Sequence, residues 1–310
     1  MPQPGKVIVL GGTGMLGSMV VDCLSRDLSL MVSATARSRS LAPDPKTVTG
    51  VTWHELDAAS VEAPVLERLL DGQACVVNAI GVIKPYIHDD NPQEVERAIH
   101  VNSVFPYRLR AAAAKTGSRV VQIATDCVYS GQKGKYAEKD THDALDVYGK
   151  SKSLGEARAP HFHHLRVSII GPEPKAHVSL LDWFLRQKPN AEVNGFTNHS
   201  WNGVTTLHYA KLCHGIVAKN LELPHLQHVI PRGTITKCDL LSAFARSFQR
   251  EDITIHPMVA STVIDRTLAT SDSNLNVRLW AAAGYTQPPT IPEMVAELAA
   301  YDYRFRVNSK

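Results

Sequence analysis

Residues 6–17 read KVIVLGGTGMLG, a short apolar run that ends in a cluster of glycines. Gly12, Gly14 and Gly17 match the pattern G-x-G-x-x-G, and starting at Gly11 the stretch also reads G-x-x-G-x-x-G. Glycines let the backbone turn tightly and approach a pyrophosphate, whose charge is then met by the N-terminus of the next helix. Because a strand-like run precedes the glycines and helical spacing follows them, the stretch predicts a dinucleotide site rather than a tight turn without a ligand.

Strand-like runs and amphipathic stretches alternate through the first half of the chain. This alternation predicts parallel strands covered by helices, which is an α/β doubly wound sheet of the Rossmann type. The longest helical stretch, 92–117, contains Pro106, where a kink is expected, and ends at Gly117, a suitable helix-terminating glycine. The first helix is predicted at 15–27, and the strands of this half are predicted at 6–12, 30–36, 51–57, 74–81, 118–126 and 163–171.

The pattern changes after Gly171. Helices are predicted at 178–187, 207–219, 237–250 and 292–301, a final strand at 226–231, and a polar, loop-rich stretch at 194–206. We therefore expect a nucleotide-binding Rossmann domain over 1–171, to which 205–236 returns. A smaller, interleaved C-terminal substrate lobe is expected over 172–204 and 237–310.

Composition excludes several classes of protein. The chain has 310 residues, 44% of them hydrophobic and 20% charged, which is typical of a globular protein. The net charge of +3 is too small to indicate a nucleic-acid or membrane partner, and no apolar run approaches the ~20 residues of a membrane span. The apolar run near the N-terminus is too short for the core of a signal peptide. We expect a cytoplasmic protein, with a homodimer as one open option for its assembly.

The cysteines and histidines do not predict a metal site. The histidine cluster His161, His163 and His164 lacks cysteine or carboxylate partners at ligand spacing, so we interpret it as a solvated surface run. The cysteines are scattered and form no C-x-x-C pair, which argues against a disulfide scaffold and fits a reducing cytoplasm. They are Cys23, Cys75, Cys127, Cys213 and Cys238.

The residues after the second predicted strand bear on the choice of cofactor. NAD-binding sheets place an Asp or Glu there, roughly 20 residues after the glycines, to hold the ribose hydroxyls. This chain instead has Arg37, with Arg39 two residues later. A guanidinium can bind a 2′-phosphate bidentately, so these residues favour NADPH over NADH. Asp57, at the end of the next strand, is expected near the adenine.

A second constellation lies in the middle of the chain. Thr125 ends a predicted strand, at the edge where ligands bind in an open parallel sheet. Tyr148 and Lys152 follow in DVYGKSKSLGE, 146–156, and their spacing puts both on one helix face. A nearby ammonium lowers the pKa of a tyrosine from its reference of about 10, which makes Tyr148 a workable acid. The three side chains could polarise a carbonyl and protonate the alkoxide formed when a nicotinamide supplies hydride.

Together these motifs resemble the extended short-chain dehydrogenase/reductase superfamily, and within it the dTDP-4-dehydrorhamnose reductase type. The resemblance rests on the glycine loop, on NAIG (78–81), on LRVSIIGP (165–172), and on the string TD-x-V-Y-x-G…G-x-Y-x-E-x-D…YGKSK…GE from Thr125 to Glu156. It covers 6–171 well and continues weakly beyond. It implies NADPH-dependent reduction of a 4-keto-6-deoxy nucleotide sugar, in surface polysaccharide or deoxysugar synthesis.

The resemblance also implies site residues. The family's catalytic Thr, Tyr and Lys fall on Thr125, Tyr148 and Lys152. The cofactor is expected to contact Gly11, Thr13, Gly14, Met15, Leu16, Arg37, Arg39, Leu56, Asp57, Ala79, Ile80, Gly81, Tyr148, Lys152 and Ile170. The nucleotide sugar is expected to contact Lys84, Asp126, Asn198, Trp201 and Asn202, with His199, Arg232 and Arg266 as further options. Trp201 could equally be a core residue.

Two alternatives remain open. GDP-L-fucose synthases, in the same superfamily, use a cysteine and a histidine to epimerise carbons beside the ketone, and Cys127 and His177 fall at similar positions in this chain. A thiolate and an imidazole can relay protons on and off such a carbon, but Cys127 could also be a packing residue and His177 a loop residue. The other alternative is a non-catalytic NADP-binding regulatory subunit, against which the intact Thr125, Tyr148 and Lys152 argue.

Overall fold

The computed structural model describes residues 3–305 except 45 and 176. Within them the strands, in chain order, are β1 (Gln3–Leu10), β2 (Met31–Ala36), β3 (Val51–Glu55), β4 (Gln73–Asn78), β5 (Arg119–Ala124), β6 (Phe162–Arg166), β7 (Ile169–Ile170), β8 (Glu192–Phe196), β9 (His199–Trp201), β10 (Val204–Thr205), β11 (Leu226–His228), β12 (Ile235–Thr236), β13 (Thr254–Met258) and β14 (Ile264–Asp265). The α-helices are α1 (Met15–Leu24), α2 (Ala63–Leu70), α3 (Pro92–Ile99), α4 (Phe105–Thr116), α5 (Val147–Leu154), α6 (Leu180–Leu185), α7 (Thr206–Ala218), α8 (Lys237–Ser247), α9 (Ser273–Ala282) and α10 (Ile291–Ala300). Short 3₁₀ turns cover Arg39–Leu41, Lys84–Tyr86 and Asp126–Val128, and a π-helical turn covers His100–Val104.

A parallel sheet of seven strands, counted over the described residues, forms the centre of the molecule. Its order is β11-β6-β5-β4-β1-β2-β3. In β1, Val7 and Val9 pack with helices α1 and α7 on one face, and Ile8 and Leu10 pack with α2 and α4 on the other. Because both faces are buried there, residues 7–10 of the strand form a continuous apolar run. The predicted doubly wound α/β fold is therefore confirmed.

The strand order fixes where a ligand can bind. The chain runs outward from β1 to β3 on one side, then crosses back to β4 and proceeds to β6 on the other. Such a reversal leaves a crevice beyond the carboxyl ends of β1 and β4. The glycine loop after β1, the residues after β4 and those after β5 all meet at this crevice.

The C-terminal half contains more strands than the sequence predicts. The polar stretch 194–206, expected to be loop, holds the end of β8 and all of β9 and β10. β9 pairs with β12 and β14, and β8 pairs with β13. The strand at 226–228 lies at the edge of the main sheet and three further strands follow it, so it is not the last strand. These strands pair with partners 30 to 70 residues away, which local patterning does not reveal. The proposed boundaries of the two lobes remain a prediction.

The interpretation of the histidine cluster as a solvated surface run was wrong. β6 lies between β5 and β11, and His163 and His164 are 6% and 0% exposed. His164 Nε2 donates to the Ala157 carbonyl at 3.1 Å, and His163 Nδ1 donates to the Pro224 carbonyl at 2.9 Å. Burial lowers the pKa of His164 to about 4, so its ring is neutral in the strand. Within the described residues no cluster of three or more His, Cys, Asp or Glu is arranged to hold a metal ion.

The long helical stretch 92–117 is divided by the π-helical turn His100–Val104, which lies just before Pro106. Pro106 lies in the first turn of α4, where the missing N–H is tolerated. Its ring and missing donor leave the Asn102 carbonyl without its usual helical partner. The helix then continues to Gly117, whose φ of 74° ends it in the left-handed conformation, as predicted.

In the chain from residue 3 to 305, leaving aside 45 and 176, we find no helix with both the length and the apolar character needed to cross a membrane.

Candidate active site

The glycine loop forms a cradle that side chains would fill. Gly11 has a φ of 80°, which favours glycine, and its N–H donates to Thr35 Oγ1 at 2.9 Å. A Cβ on Gly17 would collide with the Gly11 carbonyl, so only glycine allows the helix to begin this close to the strand. Gly14 caps α1 without a side-chain hydrogen bond, which leaves the first N–H groups of the helix open to an anion. This geometry fits a bound pyrophosphate.

Three cations gather beyond the end of β2. Arg37 and Arg39 are exposed, and neither side chain is hydrogen-bonded or paired with a carboxylate among the described residues. Burial and the nearby Arg37 guanidinium both lower the pKa of Lys175, so this lysine lies close to Arg37. Asp57 accepts a hydrogen bond from the Ala59 N–H at 3.1 Å, and it forms no ion pair with these three cations among the described residues. The donor set fits a 2′-phosphate, and Lys175 is a residue that the sequence pattern did not single out.

The predicted catalytic hydroxyls come together beyond β5. Thr125 is 8% exposed, and its Oγ1 accepts from the Cys127 N–H at 3.1 Å and donates to Asp126 Oδ1 at 3.2 Å. Tyr148 lies in the first turn of α5, and its hydroxyl is close enough to Thr125 for the threonine hydroxyl to lower its pKa. Asp146 is the N-cap of the helix, and its carboxylate accepts from the Gly149 N–H, which fixes the first turn that carries Tyr148.

Lys152 lies one turn further along α5, on the same face. It is 8% exposed, and its ammonium donates to the Ile123 carbonyl at 3.2 Å. The same nitrogen is 3.9 Å from the point where a Cβ on Gly81 would stand, so it also lies beside the residues that follow β4. Burial lowers the pKa of Lys152 to about 8.

The expected effect of Lys152 on Tyr148 is not observed. Burial is the largest influence on the phenol and raises its pKa well above the usual range. Cys127 and two carboxylates raise the pKa further, and the neighbouring Thr125 hydroxyl opposes the change only in part. The spacing of Tyr148 and Lys152 indicates the ammonium but not the desolvation of the tyrosine itself, and desolvation dominates in a buried site.

The π-helical turn His100–Val104 holds two parts of the site in place. Asn102 is 2% exposed; its amide accepts from the Val82 N–H at 2.8 Å and donates to the Val82 carbonyl at 3.0 Å. Ser103 donates to the Ser151 carbonyl in α5 at 2.8 Å. The turn thus holds the loop after β4 and the helix that carries Tyr148 in one arrangement. Its only sequence signal is a buried polar pair inside a helical stretch.

Much of the string that carries the family resemblance has a structural role. Arg166, fully buried in β6, donates to both carboxyl oxygens of Glu156 at 2.5 and 2.6 Å and to the Tyr129 hydroxyl at 2.8 Å. The Tyr129 and Tyr136 rings stack with centroids 4.2 Å apart. Glu138 accepts from the backbone of β11 at 3.0 Å. These residues tie the loop between β5 and α5 to the sheet.

Three of the predicted substrate residues are engaged in the fold. Asn198 bonds both backbone groups of Ala260, at 2.8 and 2.9 Å, and Asn202 bonds both of Leu268, at 2.7 and 2.9 Å. Their amides are therefore occupied, and we assign them a structural role instead of a substrate contact. Trp201 is 4% exposed and belongs to the core, although one ring face carries a lysine.

The charged candidates differ in where they lie. Lys84 is half exposed and pairs with Asp146 at 2.9 Å, at the start of α5. Arg232 pairs instead with Glu293 of α10, which explains its position without a ligand. His199 donates to the Thr262 carbonyl at 2.9 Å.

Asp126 and Arg266 lie beside the catalytic hydroxyls. Burial raises the pKa of Asp126, and the neighbouring Arg266 and Lys237 oppose that change. Lys237 is a residue that the sequence reasoning missed, since a single lysine opening a predicted helix carries no distinctive signal.

The Cys127 and His177 pair expected for epimerisation does not form a dyad. Burial raises the pKa of the Cys127 thiol to about 12, so a thiolate is disfavoured. His177 pairs with Asp182 at 2.9 Å, and no hydrogen bond joins it to Cys127 in the described chain. The geometry does not favour proton relay between the two.

Comparisons with known proteins agree with this fold. A family model described as RmlD substrate binding domain matches residues 5–303. A dTDP-4-dehydrorhamnose reductase of Aggregatibacter actinomycetemcomitans is 42% identical over 154 residues, which cover 49% of this chain and 45% of the relative. Methionine adenosyltransferase 2 subunit beta of Danio rerio is 26% identical over 210 residues, covering 62% of this chain and 64% of the relative. The chain thus spans less than two thirds of the length of these curated relatives.

Among solved structures, a dTDP-4-dehydrorhamnose reductase of Bacillus anthracis in complex with NADP has a TM-score of 0.69. It is 15% identical, and the match covers 96% of this chain and 99% of that structure. The corresponding enzyme of Yersinia enterocolitica has a TM-score of 0.71 at 16% identity, covering 97% and 99%. At such identities the likeness concerns the fold.

Proposed function

The chain belongs to the RmlD substrate binding domain family of extended short-chain dehydrogenases/reductases, and from that premise we propose that it reduces the 4-keto group of a nucleotide-linked 6-deoxy or related sugar with NADPH. One observation supports this above the others. The Thr125 and Tyr148 hydroxyls lie close to each other at the carboxyl edge of the sheet, with the Lys152 ammonium one helical turn away. A ketone oxygen placed between the two hydroxyls would be held by both.

The residues of the crevice fit an NADPH cofactor. Gly11 and Gly14 would hold its pyrophosphate against the start of α1, and Arg37 and Arg39 would hold the 2′-phosphate. Contacts are also proposed for Thr13, Met15, Leu16, Leu56, Asp57, Ala79, Ile80, Gly81 and Ile170. When bound, the nicotinamide supplies hydride to the substrate carbon.

The protein supplies the proton and the electrostatics. The raised pKa of Tyr148 keeps the phenol protonated through the neutral range, so it can donate to the ketone oxygen. Thr125 would hold the same oxygen and orient the carbonyl. Below a pH of about 8 the Lys152 ammonium is charged and would stabilise the phenolate that proton donation leaves.

Turnover with a panel of substrates tests the proposal. NADPH oxidation is followed with dTDP-, UDP-, GDP- and CDP-linked 4-keto sugars, with NADH as the comparison cofactor. We expect turnover with at least one sugar and a preference for NADPH. Tyr148→Phe should lower kcat by roughly 10²–10⁴-fold, the usual contribution of a positioned acid, while NADPH binding is retained.

The control is Tyr107→Phe, which removes the hydroxyl of a half-exposed tyrosine on α4. It should leave kcat unchanged. Full activity in Tyr148→Phe would refute the assignment of the acid.

A second reading is favoured by one comparison only. The relative from Danio rerio is named as a subunit of another enzyme, which suits a non-catalytic NADP-binding subunit. In that case the folded protein would bind NADPH and turn over no member of the panel. For the catalytic protein we propose a role in polysaccharide or deoxysugar synthesis in the cytoplasm.

A further inference from the structure

The C-terminal segment 301–305 reaches the glycine loop through the side chain of Tyr303. This residue is 4% exposed, and its hydroxyl lies 2.5 Å from Oγ of Ser18, a fully buried residue of α1. Ser18 Oγ in turn donates to the Gly14 carbonyl at 2.6 Å, while the Met15 carbonyl is farther away, at 3.3 Å. Groups from distant parts of the chain therefore form one continuous line of hydrogen bonds.

The direction of these hydrogen bonds follows from the protons that are present. Ser18 has one hydroxyl proton, and the Gly14 carbonyl accepts it at the shorter distance. Ser18 Oγ can then only accept from its other neighbour, so the Tyr303 hydroxyl is the donor. Burial raises the pKa of Tyr303 well above its usual range, so the phenol keeps the proton that it donates.

The Gly14 carbonyl belongs to the same peptide group as the Met15 N–H. This carbonyl accepts two hydrogen bonds, from the Ser18 N–H at 2.9 Å and from Ser18 Oγ. Met15 is the first residue of α1, so its N–H has no partner inside the helix and is one of the donors left for a pyrophosphate. Hydrogen bonds in a line polarise one another, so the two bonds to the carbonyl make the N–H of the same peptide group a stronger donor.

Other contacts of the segment hold Tyr303 against Ser18. The Arg304 backbone N–H donates to the Asp22 carboxylate of α1 at 3.2 Å, and the Arg304 guanidinium donates to Ser25 Oγ at 2.6 Å. The ring of Phe305 stacks with the ring of Tyr303 at a centroid distance of 5.9 Å. These contacts place the phenol without using its hydroxyl, which is left for Ser18.

We propose that Tyr303 is a positioning residue for the cofactor, which acts through Ser18 on the Gly14–Met15 peptide and strengthens the hold of the glycine loop on the pyrophosphate of NADPH. The inference rests on the proposed use of NADPH and adds to that site a residue 285 positions from Ser18. By linkage, bound NADPH stabilises the docked segment by the same factor by which the docked segment raises NADPH affinity.

Cofactor affinity tests the inference without turnover. The dissociation constant of NADPH is measured by titration calorimetry for the wild type, Tyr303→Phe, Ser18→Ala and the double variant. Because a neutral hydrogen bond contributes a factor of roughly 2 to 10, Tyr303→Phe should weaken NADPH binding by about that factor. Ser18→Ala breaks the same line of hydrogen bonds and should weaken binding at least as much. Adding Tyr303→Phe to Ser18→Ala should then change the dissociation constant no further.

Tyr301→Phe is the matched control, because it removes from the same segment a hydroxyl that has no hydrogen-bond partner among the described residues. It should bind NADPH as the wild type does. Thermal denaturation of every variant shows that it is folded at the temperature of the titration, so that a change in affinity is separated from a loss of stability.

Amide hydrogen exchange supplies the reciprocal measurement. NADPH should slow the exchange of the Arg304 N–H in the wild type, and should slow it less in Tyr303→Phe. Equal NADPH affinities of the wild type and Tyr303→Phe, a further loss when Tyr303→Phe is added to Ser18→Ala, or no slowing of exchange in the wild type would overturn the inference and leave the proposed reduction intact. The expected losses of affinity in a protein that reduces no ketone would refute the proposed reduction and leave the inference intact.

Discussion

Lys152 carries its charge in a buried part of the site. Among the described residues its ammonium has one hydrogen-bond acceptor, the Ile123 carbonyl, and the residue is 8% exposed. The folded protein therefore releases the proton of Lys152 at a pH of about 8, whereas the unfolded chain holds it up to 10.5. A residue placed for chemistry in this way lowers the stability of the fold at neutral pH, because burial opposes its charge.

The pH dependence of stability should reveal this. Between pH 8 and 10.5 the unfolded chain binds one more proton than the folded chain, so this group's contribution to stability rises with pH across that window. Lys152→Met removes the titration. The unfolding free energy of the wild type, measured relative to Lys152→Met by urea denaturation, should rise by about 3 kcal/mol through the window, since each pH unit contributes about 1.4 kcal/mol.

Lys150→Met, on the exposed side of the same helix, serves as the control and should show a difference that does not vary with pH. A constant difference for Lys152→Met as well would mean that the Lys152 ammonium is not buried as described.

At the residue scale, sequence reasoning found the groups whose spacing is local. Tyr148 and Lys152 share one helix and Thr125 ends one strand, so their proximity follows from elementary geometry. Lys237 and Asn102 reach the site only through strand pairing and a π-helical turn. The same limit explains why Asn198 and Asn202 were assigned to substrate: an exposed amide and one bonded to a distant backbone look identical in sequence.

At the element scale, the C-terminus of α5 packs directly against the π-helical turn that precedes α4. Gly155, which ends α5, faces the Asn102 carbonyl that Pro106 leaves without a helical partner, and a Cβ there would overlap that oxygen. The glycine thus lets the helix that carries Tyr148 lie directly against its support.

Gly155→Ala separates helix propensity from packing. The residue has a φ of −76°, so alanine is allowed there and propensity alone predicts a gain of up to about 1 kcal/mol. The overlap with Asn102 instead predicts a loss of about 1–3 kcal/mol in unfolding free energy, since neither backbone can move freely. Thermal and urea denaturation would decide between them, with exposed Lys150→Ala as a control expected to stay within about 0.5 kcal/mol. A stabilised Gly155→Ala would show that the contact is looser than described.

Elements differ in how well sequence predicts them, and the difference has a physical origin. Strands buried on both faces, such as β1, are continuous apolar runs and were recognised. The sequence predicts β6 as a strand, but its histidines resemble surface residues in sequence, because the backbone acceptors that satisfy them lie elsewhere in the chain. The short strands β8 to β10 owe their existence to partners that follow much later in the sequence.

At the scale of the whole molecule, residues 301–305 form a clasp on the first helix. Asp22 of α1 is fully buried and accepts from Arg26 Nε at 3.2 Å and from the Arg304 backbone N–H at 3.2 Å. The Arg304 guanidinium also donates hydrogen bonds to the Asp22 carboxylate and to the Asp22 backbone carbonyl. Tyr303 meets Ser18 at 2.5 Å, and Ser18 donates to the Gly14 carbonyl at 2.6 Å, so the clasp reaches the glycine loop.

The clasp should contribute strongly to stability, and Arg304→Ala tests it. Removing one partner of a buried ion pair costs about 3–5 kcal/mol, and because Arg26 remains beside Asp22 we expect a loss of about 2–3 kcal/mol in unfolding free energy. Lys115→Ala, which breaks an exposed pair with Glu67, should cost less than about 1 kcal/mol in the same denaturation experiment. Equal losses in the two variants would mean that the clasp is only a surface contact. A much larger loss in Arg304→Ala would mean instead that the segment beyond α10 is part of the core on which α1, and with it the glycine loop, depends.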